Sequence, residues 1–514
     1  MEDKNRKIDQ INSKPGFGRD GTMLDTPSFV DGQWCRFQKG RPKKIGGYQE
    51  VSTNLDGIAR GAYVYSRNGL VYMYGFTKNK MWVSTTTNTG ATTVALSSTI
   101  PDYTATDKYN FQIDGIFDAT GGAVSKLIVH GQTNLGDIAD ETDTNIYMCD
   151  AGVSSAALTK LTDGLGNDVK VSGGIVVLQP YVFAYGNAGL IKNSNANNPN
   201  DWRIGVGYEG NEVNVSGTKI VKGLPLRGGS TSPAGLFWSL DSLIRVYKQG
   251  NDFKYDPVSA QTTIMSPNSV VEYDGVYYWL GVDRFLMYNG TVNEVPNAQN
   301  LNWFFDNVNY KYRTKIWAYK NTRFGEIWWF FPFGAATECT HALIYNVREN
   351  CWYDSAHPRS AGYAAQVFRY PIAFGNELNA QNAYSSYLEE HGVNAVHGGQ
   401  ELAIPSWFET ADFGYPTGGA AGEQPAGNDF WTRLIRIEPD FIQRGIMSVT
   451  VRGREFAQGV TTDSLPYEFE PTTERIDLRE QRRQISLRFD SNIINGDYFM
   501  GRVILHTETG DIRS

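Results

Sequence analysis

The sequence predicts an all-β protein, and two observations support this. The chain of 514 residues contains 54 Gly and 29 Tyr, and 41% of its residues are hydrophobic. This composition supplies many tight turns and enough apolar surface for a sizeable core. Between residues 56 and 405, short runs rich in Val, Ile, Tyr, Phe and Trp alternate with Gly, Asn and Asp, which is typical of successive antiparallel strands. At this length we expect two or three domains.

Residues 1 to 55 predict an extended arm. Gly and Pro interrupt this segment every few residues, as in PGFGRDG (Pro15–Gly21) and QKGRPKK (Gln38–Lys44). Such a density of chain breakers excludes a helix. The first residues are charged and have no apolar stretch, so the sequence predicts no secretory signal. No run approaches ~18 apolar residues, so we expect a soluble protein that is made in the cytosol.

The stretch Ser266–Val292 indicates how the central region is built. SVVEY, VYYWLG and RFLMY predict three strands, separated by Asp274–Gly275 and Val282–Asp283 and closed by Asn289–Gly290. Asp-Gly and Asn-Gly supply the positive φ angles that two-residue hairpin turns need. Three or four antiparallel strands in one local unit are typical of a propeller blade.

The aromatic residues of this stretch have two interpretations, packing in a core or stacking on a sugar. Tyr277 and Trp279 share one face of their strand, and Tyr278 and Leu280 share the other, because strand side chains alternate. Both faces are therefore apolar, which favours a strand that is buried between two neighbouring sheets.

Similar units recur at Pro180–Ser194 and Gly325–Ser355. Successive candidate units are spaced by roughly 40 to 50 residues, which is typical of blades. The sequence therefore predicts a β-propeller of six or seven blades over residues 56–405. No Trp-Asp or kelch signature is present.

Residues 384–430 interrupt the pattern. AYSSYLEEHG (Ala383–Gly392) predicts a short helix, and residues 406–429 predict a linker or loop because they include the Gly- and Pro-rich run Tyr415–Asp429. Residues 430–514 follow as four predicted strands that alternate polar and apolar residues. They predict a separate small β-sandwich or sheet.

The sequence predicts no catalytic, cofactor or metal site. It contains no phosphate-binding loop, no nucleophile elbow and no His pair with metal-ligand spacing. A glycosidase would need two paired carboxylates, but Asp274 and Asp283 lie at opposite ends of one predicted strand, which favours turn formation. The remaining candidate for a cation is the loop Glu389–His391.

Four cysteines are widely spaced and form no Cys-x-x-Cys pair. This spacing favours free buried thiols, with one disulfide between Cys339 and Cys351 as the alternative.

A cluster of basic residues in Cys35–Lys44 is a candidate partner-binding surface. It is interpreted as a clamp on an acidic neighbouring subunit or on DNA phosphate, with a solvated arm as the alternative. The formal net charge of −8 favours a protein partner. The cluster comprises Arg36, Lys39, Arg41, Lys43 and Lys44.

The last 85 residues contain twelve arginines, no lysine and a similar number of acids. Arginine and carboxylates form bidentate pairs of fixed geometry. The region is therefore interpreted as a contact between subunits, with chance composition as the alternative. The predicted partner-binding residues here are Arg479, Arg482 and Arg483.

Several segments together resemble one family, the tail structural proteins of short-tailed bacteriophages. GFGRDGTMLDTPSFVDGQWCRFQKGRPKKIGGYQ (Gly16–Gln49) resembles their N-terminal segment. Asn197–Trp202, Leu236–Gly250 and Ser266–Asn297 resemble their propeller blades, and the ending from Leu478 resembles their closing sheet. The likeness covers most of the chain.

The resemblance implies a tail nozzle, also called a tail tubular or hub protein, with a propeller and an adjoining β platform to which the N-terminal arm contributes. Six copies would form a ring below the portal and adaptor, conduct the genomic DNA without sequence-specific binding, and carry tail fibres or spikes. The protein would be assembled in the host cytoplasm and reside in the virion tail. Candidate gating segments are Gly205–Gly217 and Thr417–Gly427. The alternative is a propeller of the tail that binds or cleaves glycans.

Overall fold

A computed structural model of the chain is nearly all β, with 54% of residues in strands and 4% in helices. The all-β prediction is therefore confirmed. The residues described are 6–87, 92–100, 111–118, 124–132, 142–153, 157–227, 233–364, 369–379, 382–414, 430–456 and 458–512.

The N-terminal segment forms strands rather than a featureless arm. Two of these strands form a hairpin and two others form a short parallel pair, while the rest pair with strands hundreds of residues away. The strands are β1 (Arg6–Gln10), β2 (Lys14–Phe17), β3 (Ser28–Phe29), β4 (Asp31–Gln33), β5 (Cys35–Gln38), β6 (Arg41–Lys44) and β7 (Tyr48–Leu55).

Seven sheets, antiparallel except for one strand pair in the last of them, then follow one another along the chain, and the first three lie before residue 215. In most of these sheets the strands pair strictly in chain order, because turns join consecutive strands into hairpins. Sheet I comprises β8 (Gly61–Arg67), β9 (Leu70–Phe76), β10 (Lys80–Thr87) and β11 (Thr92–Thr99); sheet II β12 (Phe111–Phe117), β13 (Lys126–Gly131), β14 (Thr144–Asp150), β15 (Thr159–Lys160) and β16 (Lys170–Val171); sheet III β17 (Gly174–Leu178), β18 (Tyr181–Tyr185), β19 (Leu190–Asn193) and β20 (Asn211–Asn214).

Three further sheets repeat the same four-stranded plan. Sheet IV comprises β21 (Ile220–Pro225), β22 (Ala234–Ser239), β23 (Leu243–Gln249) and β24 (Asp252–Ser259); sheet V β25 (Val271–Tyr273), β26 (Val276–Leu280), β27 (Phe285–Tyr288) and β28 (Val292–Glu294); sheet VI β29 (Trp317–Asn321), β30 (Glu326–Phe331), β31 (His341–Asn346) and β32 (Cys351–Ala356). The three strands predicted within Ser266–Val292 are thus confirmed, and β28 adds a fourth.

Sheet VII is built differently, because its fourth strand comes from the N-terminal segment. Strand β7 pairs antiparallel with β35 and parallel with β36. The remaining strands are β33 (Arg359–Tyr363), β34 (Ile372–Gly375), β35 (Tyr384–Glu389), β36 (Ala395–His397) and β37 (Gln400–Leu402).

Strand β35 corrects the short helix predicted at Ala383–Gly392. Its backbone pairs with β34 on one side and with β7 on the other. Ser and Tyr have little helix propensity. Two other strands, one of them more than 300 residues away in the sequence, pair with this segment and decide its conformation. A local pattern cannot contain that information.

Apolar side chains join each successive sheet to the next. In sheet V, Tyr277 and Trp279 pack with Trp238 of sheet IV, whereas Tyr278 and Leu280 pack towards sheet VI. The prediction that the two faces of this strand are both buried is confirmed. The other neighbouring pairs share clusters in the same way, I with II, II with III and III with IV.

Sheet VII contacts both sheet VI and sheet I. The indole nitrogen of Trp317 in β29 donates a hydrogen bond to the carbonyl oxygen of Arg359 in β33 at 3.1 Å. On the opposite side, Phe374 packs with Val64 and Met73 of sheet I. Sheet VII therefore contacts the sheet before it in the chain and also the first sheet.

Three further sheets, here called the terminal sheets, combine both ends of the chain. Sheet VIII has the order β1-β47-β39-β44, sheet IX contains β4-β38-β45-β41 with β42 and β43, and sheet X has the order β40-β46-β6-β5. The described residues of the range 430–514 therefore form no sheet without strands from elsewhere in the chain. The new strands are β38 (Ser406–Glu409), β39 (Phe430–Glu438), β40 (Phe441–Arg444), β41 (Met447–Arg454), β42 (Thr462–Asp463), β43 (Tyr467–Phe469), β44 (Ile476–Arg482), β45 (Gln484–Ser491), β46 (Asp497–Met500) and β47 (Ile504–Ile512).

The predicted linker at residues 406–429 begins with strand β38, which lies between β4 and β45 in sheet IX. The Gly- and Pro-rich run Tyr415–Asp429 lies outside the described residues.

The helical segments of the structure are short, and none of them was predicted from the sequence. Within the described ranges there is one α-helix, α1 (Leu301–Asn307), between sheets V and VI, and Phe304 on it packs against Phe285 of sheet V. Single 3₁₀ turns lie at Asn187–Gly189 and Pro267–Ser269, and a longer 3₁₀ segment, kinked at Tyr312, lies at Tyr310–Lys315. In the described part of the chain no helix has the length and apolar character needed to cross a membrane.

Candidate functional sites

The two carboxylates considered for a glycosidase pair lie at turns. Asp274 has a positive φ of 50° and Gly275 has a φ of 81°, as a two-residue hairpin turn requires. Asp283 lies at the next turn, where it forms an exposed ion pair with Arg284 at 3.0 Å. The turn-forming interpretation of Asp274 is therefore confirmed, and Asp283 has a charged partner beside it.

The loop considered for a cation, Glu389–His391, is engaged in ion pairs. Glu389 is buried and accepts from Arg359 Nε at 2.6 Å and from His357 Nε2 at 3.1 Å. Burial alone raises the pKa of this carboxyl, but Arg359 and His357 together outweigh it and hold the pKa at about 2. Across the described ranges, no group of three His, Cys, Asp or Glu side chains is arranged to hold a metal ion.

All four cysteines are free and buried. Cys339 lies just before β31 and Cys351 begins β32, yet they form no disulfide. Burial raises the pKa of Cys35 and of Cys149 to about 12, so both thiols stay protonated and poorly nucleophilic.

Arg36 was predicted to bind a partner, and the structure corrects this. Its side chain is 1% exposed and lies between two carboxylates, Glu326 of sheet VI and Glu390, which lies between β35 and β36 of sheet VII. Its guanidinium also lies 3.6 Å from the ring centroid of Phe324. Burial would lower the pKa of Arg36, but the two carboxylates raise it. Arg36 therefore stays charged and pairs with carboxylates of its own chain.

Lys44 is also buried, and its ammonium donates to the carbonyl oxygen of Gly496 at 2.9 Å. Burial lowers the pKa of Lys44 to about 8. A partner cannot reach either Arg36 or Lys44 in the folded chain. The partner-binding interpretation is therefore wrong for these two residues, for the same physical reason.

The other members of the basic cluster also contact their own chain. Arg41 donates to the carbonyl oxygen of Ile11 at 3.0 Å. The Lys43 ammonium lies 5.8 Å from the Phe324 ring. The backbone N–H of Lys39 donates to Glu349 of sheet VI at 2.7 Å. The cluster thus fastens the N-terminal segment to the rest of the fold.

The C-terminal arginines divide into two groups. Some form internal ion pairs with the segment that precedes them, as Arg452 does with Glu409 at 2.5 Å and Arg454 with Asp412. Arg488 pairs with Asp490 at 2.9 Å and stacks over Trp407 at 3.9 Å. Of these three arginines only Arg488 contacts both oxygens of its carboxylate, and all three pairs lie within the chain, so they do not test the predicted contact between subunits.

The other group faces solvent on sheet VIII. Arg479 is exposed on β44, an edge strand of that sheet. Arg482, on the same strand, is 23% exposed and pairs with Glu480 at 3.1 Å. Arg483 follows β44 and is half-buried. Of the predicted partner-binding residues, Lys39 and Arg479 are exposed.

Sequence reasoning missed a cluster that connects the N-terminal segment to sheet VI. Arg19 donates to Asp354 of β32 at 2.6 Å and to Asp31 at 2.6 Å. Gln33 and Ala356 exchange two hydrogen bonds at 3.0 Å. The sequence contains no local signal for the pairs Arg19–Asp354 and Gln33–Ala356, since the two residues of each pair are more than 300 positions apart.

Known proteins do not identify the chain. A comparison with protein-family models finds no match, and a comparison with curated proteins finds none.

Proposed function

We propose that this protein is a structural component of a bacteriophage virion, the tail nozzle of a short-tailed phage, and that it is not an enzyme. Six copies form a ring below the portal and adaptor, retain the packaged genomic DNA and conduct it at ejection. Tail fibres or spikes attach around this ring. The proposal starts from the segments that resemble this family and rests on how those segments are arranged in the fold.

The fold proposed with this function is a seven-bladed β-propeller. Seven sheets, antiparallel except for one strand pair in the last, follow one another in the chain, and the last packs on the first through Phe374 and Met73. Sheet VII receives β7 from the N-terminal segment. Strand β7 precedes sheet I in the chain and pairs within sheet VII. This supports a closed ring, because backbone hydrogen bonds then join the start of the ring to its last sheet.

The observation that carries the functional proposal is the shared body of terminal sheets. The segments resembling the two ends of the family lie together in sheets VIII, IX and X. The N-terminal segment also contacts sheet VI through Arg19 and Arg36. A second β body tied to a propeller by both chain ends is the arrangement that the resemblance implies for a nozzle subunit.

The terminal sheets also supply surfaces on which a ring could assemble. Sheet VIII has two edge strands, β1 and β44, and exposed edges are sites of pairing with another chain. Arg479 and Ile8 are exposed on these two strands. The net charge of −8 is compatible with a channel wall that repels phosphate and lets DNA slide.

Of the two proposed gating segments, Gly205–Gly217 includes a surface loop followed by β20. Val206 in this loop is fully exposed. The segment Thr417–Gly427 lies outside the described residues.

The test is antibody-gold labelling of purified virions from an infection that produces this protein, viewed by negative-stain microscopy. Gold clustered at the distal part of a short tail is the expected result. Gold on peripheral appendages would instead support the alternative, a tail protein that binds or cleaves glycans. Unlabelled particles in a lysate that contains the protein would overturn the structural role.

A further inference from the structure

A cavity of about 600 Å³ lies where the first strands of six of the successive sheets come together. Strands β8, β21, β29 and β33 line it, together with residues of β12 and β25. Small-molecule sites have volumes of about 300–1,000 Å³. The cavity is therefore large enough for a small ligand of one or two rings.

The charge of this cavity is opposite to that of the chain as a whole. Its described lining contains a single acidic side chain, Glu272, although the protein carries a net charge of −8. The basic side chains in the lining are Arg60, Lys222, Arg227 and Lys320.

Two carboxylates form ion pairs with basic groups in and beside the lining. Glu272 accepts from Lys320 Nζ at 2.9 Å and lies 3.8 Å from Arg227 Nη1. Glu338, outside the lining, forms paired hydrogen bonds with Arg60 at 2.7 and 2.8 Å and also binds Lys315. The lining itself thus presents four basic side chains and one acidic side chain, and a concave wall concentrates the field of such charges.

Arg227 is the cation best placed to meet a ligand, because its side chain is 63% exposed. Its backbone is held in position on Tyr277, whose hydroxyl accepts from the Arg227 N–H at 3.0 Å. The same hydroxyl donates to the carbonyl oxygen of Pro225 at 2.5 Å. The Arg227 backbone is thus fixed while its guanidinium reaches solvent.

Aromatic rings accompany these cations. Tyr63 and Tyr65 of β8 and Tyr363 of β33 line the cavity and are half-buried. The Tyr63 and Tyr363 rings lie 4.8 Å apart between centroids. Half-buried tyrosines present an apolar ring and a polar hydroxyl to the same space, which suits the faces and hydroxyl groups of a sugar.

We propose that this cavity binds a saccharide that carries an acid group, either a carboxylate or a phosphate. Arg227 binds the acid group with its paired N–H donors, and the tyrosines contact the sugar ring. Arginine recognises both kinds of oxyanion through the same fork of donors. This inference goes beyond the nozzle role and does not depend on it, since the cavity lies within one chain.

The test measures binding to the isolated full-length chain by calorimetry at low ionic strength, where screening of the charges is weakest. The probes are glucuronate, glucose 6-phosphate, adenosine monophosphate and neutral glucose. We expect at least one of the two acids to bind at least about tenfold more tightly than glucose, as a charge-assisted hydrogen bond requires. Preference for glucuronate identifies a uronic acid, and preference for the phosphate identifies a phosphosugar.

The matched variants are Arg227→Gln and Arg284→Gln. Arg284 is a half-exposed arginine just before β27 of sheet V that does not line the cavity. We expect Arg227→Gln to weaken binding about tenfold and Arg284→Gln to leave it unchanged, with an unchanged Tm for both. Equal affinity for glucose and the acids, equal loss in both variants, or tighter binding of adenosine monophosphate than of either acid would overturn the proposal.

Discussion

The two basic regions of this protein look alike in the sequence and differ in the fold. In the N-terminal region, Arg36 lies 1% exposed between Glu326 and Glu390. In the C-terminal region, Arg479 lies exposed on an edge strand. The difference teaches that a cluster of basic residues does not by itself identify a binding surface. Whether a basic cluster is available to a partner depends on whether carboxylates from distant parts of the chain surround it.

This comparison also separates two physical roles for charge. A buried arginine loses its hydration, so removing its carboxylates or the arginine itself leaves an uncompensated charge in the interior. An exposed arginine keeps its water and contributes little to folding. The N-terminal region should therefore determine stability, and the exposed C-terminal arginines should determine association.

The largest expected effect comes from deleting residues 1–47. The deletion removes strands β1 to β6 and so takes a strand or more from each terminal sheet. We expect the protein to aggregate or to lose its cooperative unfolding transition, measured by circular dichroism. The matched control deletes residues 1–10 and removes only the edge strand β1. A stable, cooperative product of the longer deletion would contradict the view that the N-terminal segment is part of the core.

A large effect is also expected for Arg36→Met. The variant leaves Glu326 and Glu390 buried without their cation, and breaking such a pair costs about 3–5 kcal/mol. The free energy of unfolding in urea measures this cost. The control, Arg479→Met, should change it by less than about 0.5 kcal/mol. Equal costs for the two variants would remove the distinction between the two regions.

The buried network beside Arg36 predicts a pH dependence. The pKa of Glu389 is about 2, below its unfolded value of about 4.3. A depressed carboxyl pKa contributes stability that is complete above the unfolded value and is lost as the pH falls towards 2. We expect Glu389→Gln to cost about 3–5 kcal/mol at pH 7 because Arg359 and His357 lose their partner.

This cost should shrink as the pH falls from about 4.3 towards 2. Urea titrations at pH 7, 4 and 3 measure the difference between the wild type and the variant. A difference that stays constant over this range would show that the Glu389 charge is not what stabilises the fold.

For Arg479→Glu we expect the smallest effect on stability and a large effect on assembly into virions. Its exposure predicts a change in the free energy of unfolding of less than about 0.5 kcal/mol. If sheet VIII contacts a neighbouring subunit, the reversed charge should lower incorporation into virions, which quantitative labelling measures. Arg284→Glu, an exposed substitution on sheet V, serves as the control. Normal incorporation of Arg479→Glu would assign the contact to another surface.

Much of the local structure could be predicted from the sequence. The strands within Ser266–Val292, their turns and the two buried faces of Val276–Leu280 all follow from alternation and from Asp-Gly and Asn-Gly pairs. These features depend on neighbours within about ten residues, so the sequence contains the information. The helix Leu301–Asn307 was missed because a short apolar run has no distinctive period.

The candidate sites were predicted less well. The residue types at Arg36 and Lys44 suggest exposure, because charged side chains are rarely buried unless paired. Their partners, Glu326 and the carbonyl oxygen of Gly496, are hundreds of residues away. The basic cavity around Arg227 was missed for the same reason, since its lining comes from six sheets.

The sequence by itself determined the all-β class, the hairpin plan of the successive sheets and the absence of a recognisable catalytic motif. Each depends on composition or on short spacings. Tertiary structure alone decided that Tyr384–Glu389 is a strand, that β7 completes sheet VII, and that both chain ends share the terminal sheets. The reason is that strand pairing is satisfied by backbone groups, which every residue carries. The local sequence therefore does not indicate which strand, hundreds of residues away, a segment will pair with.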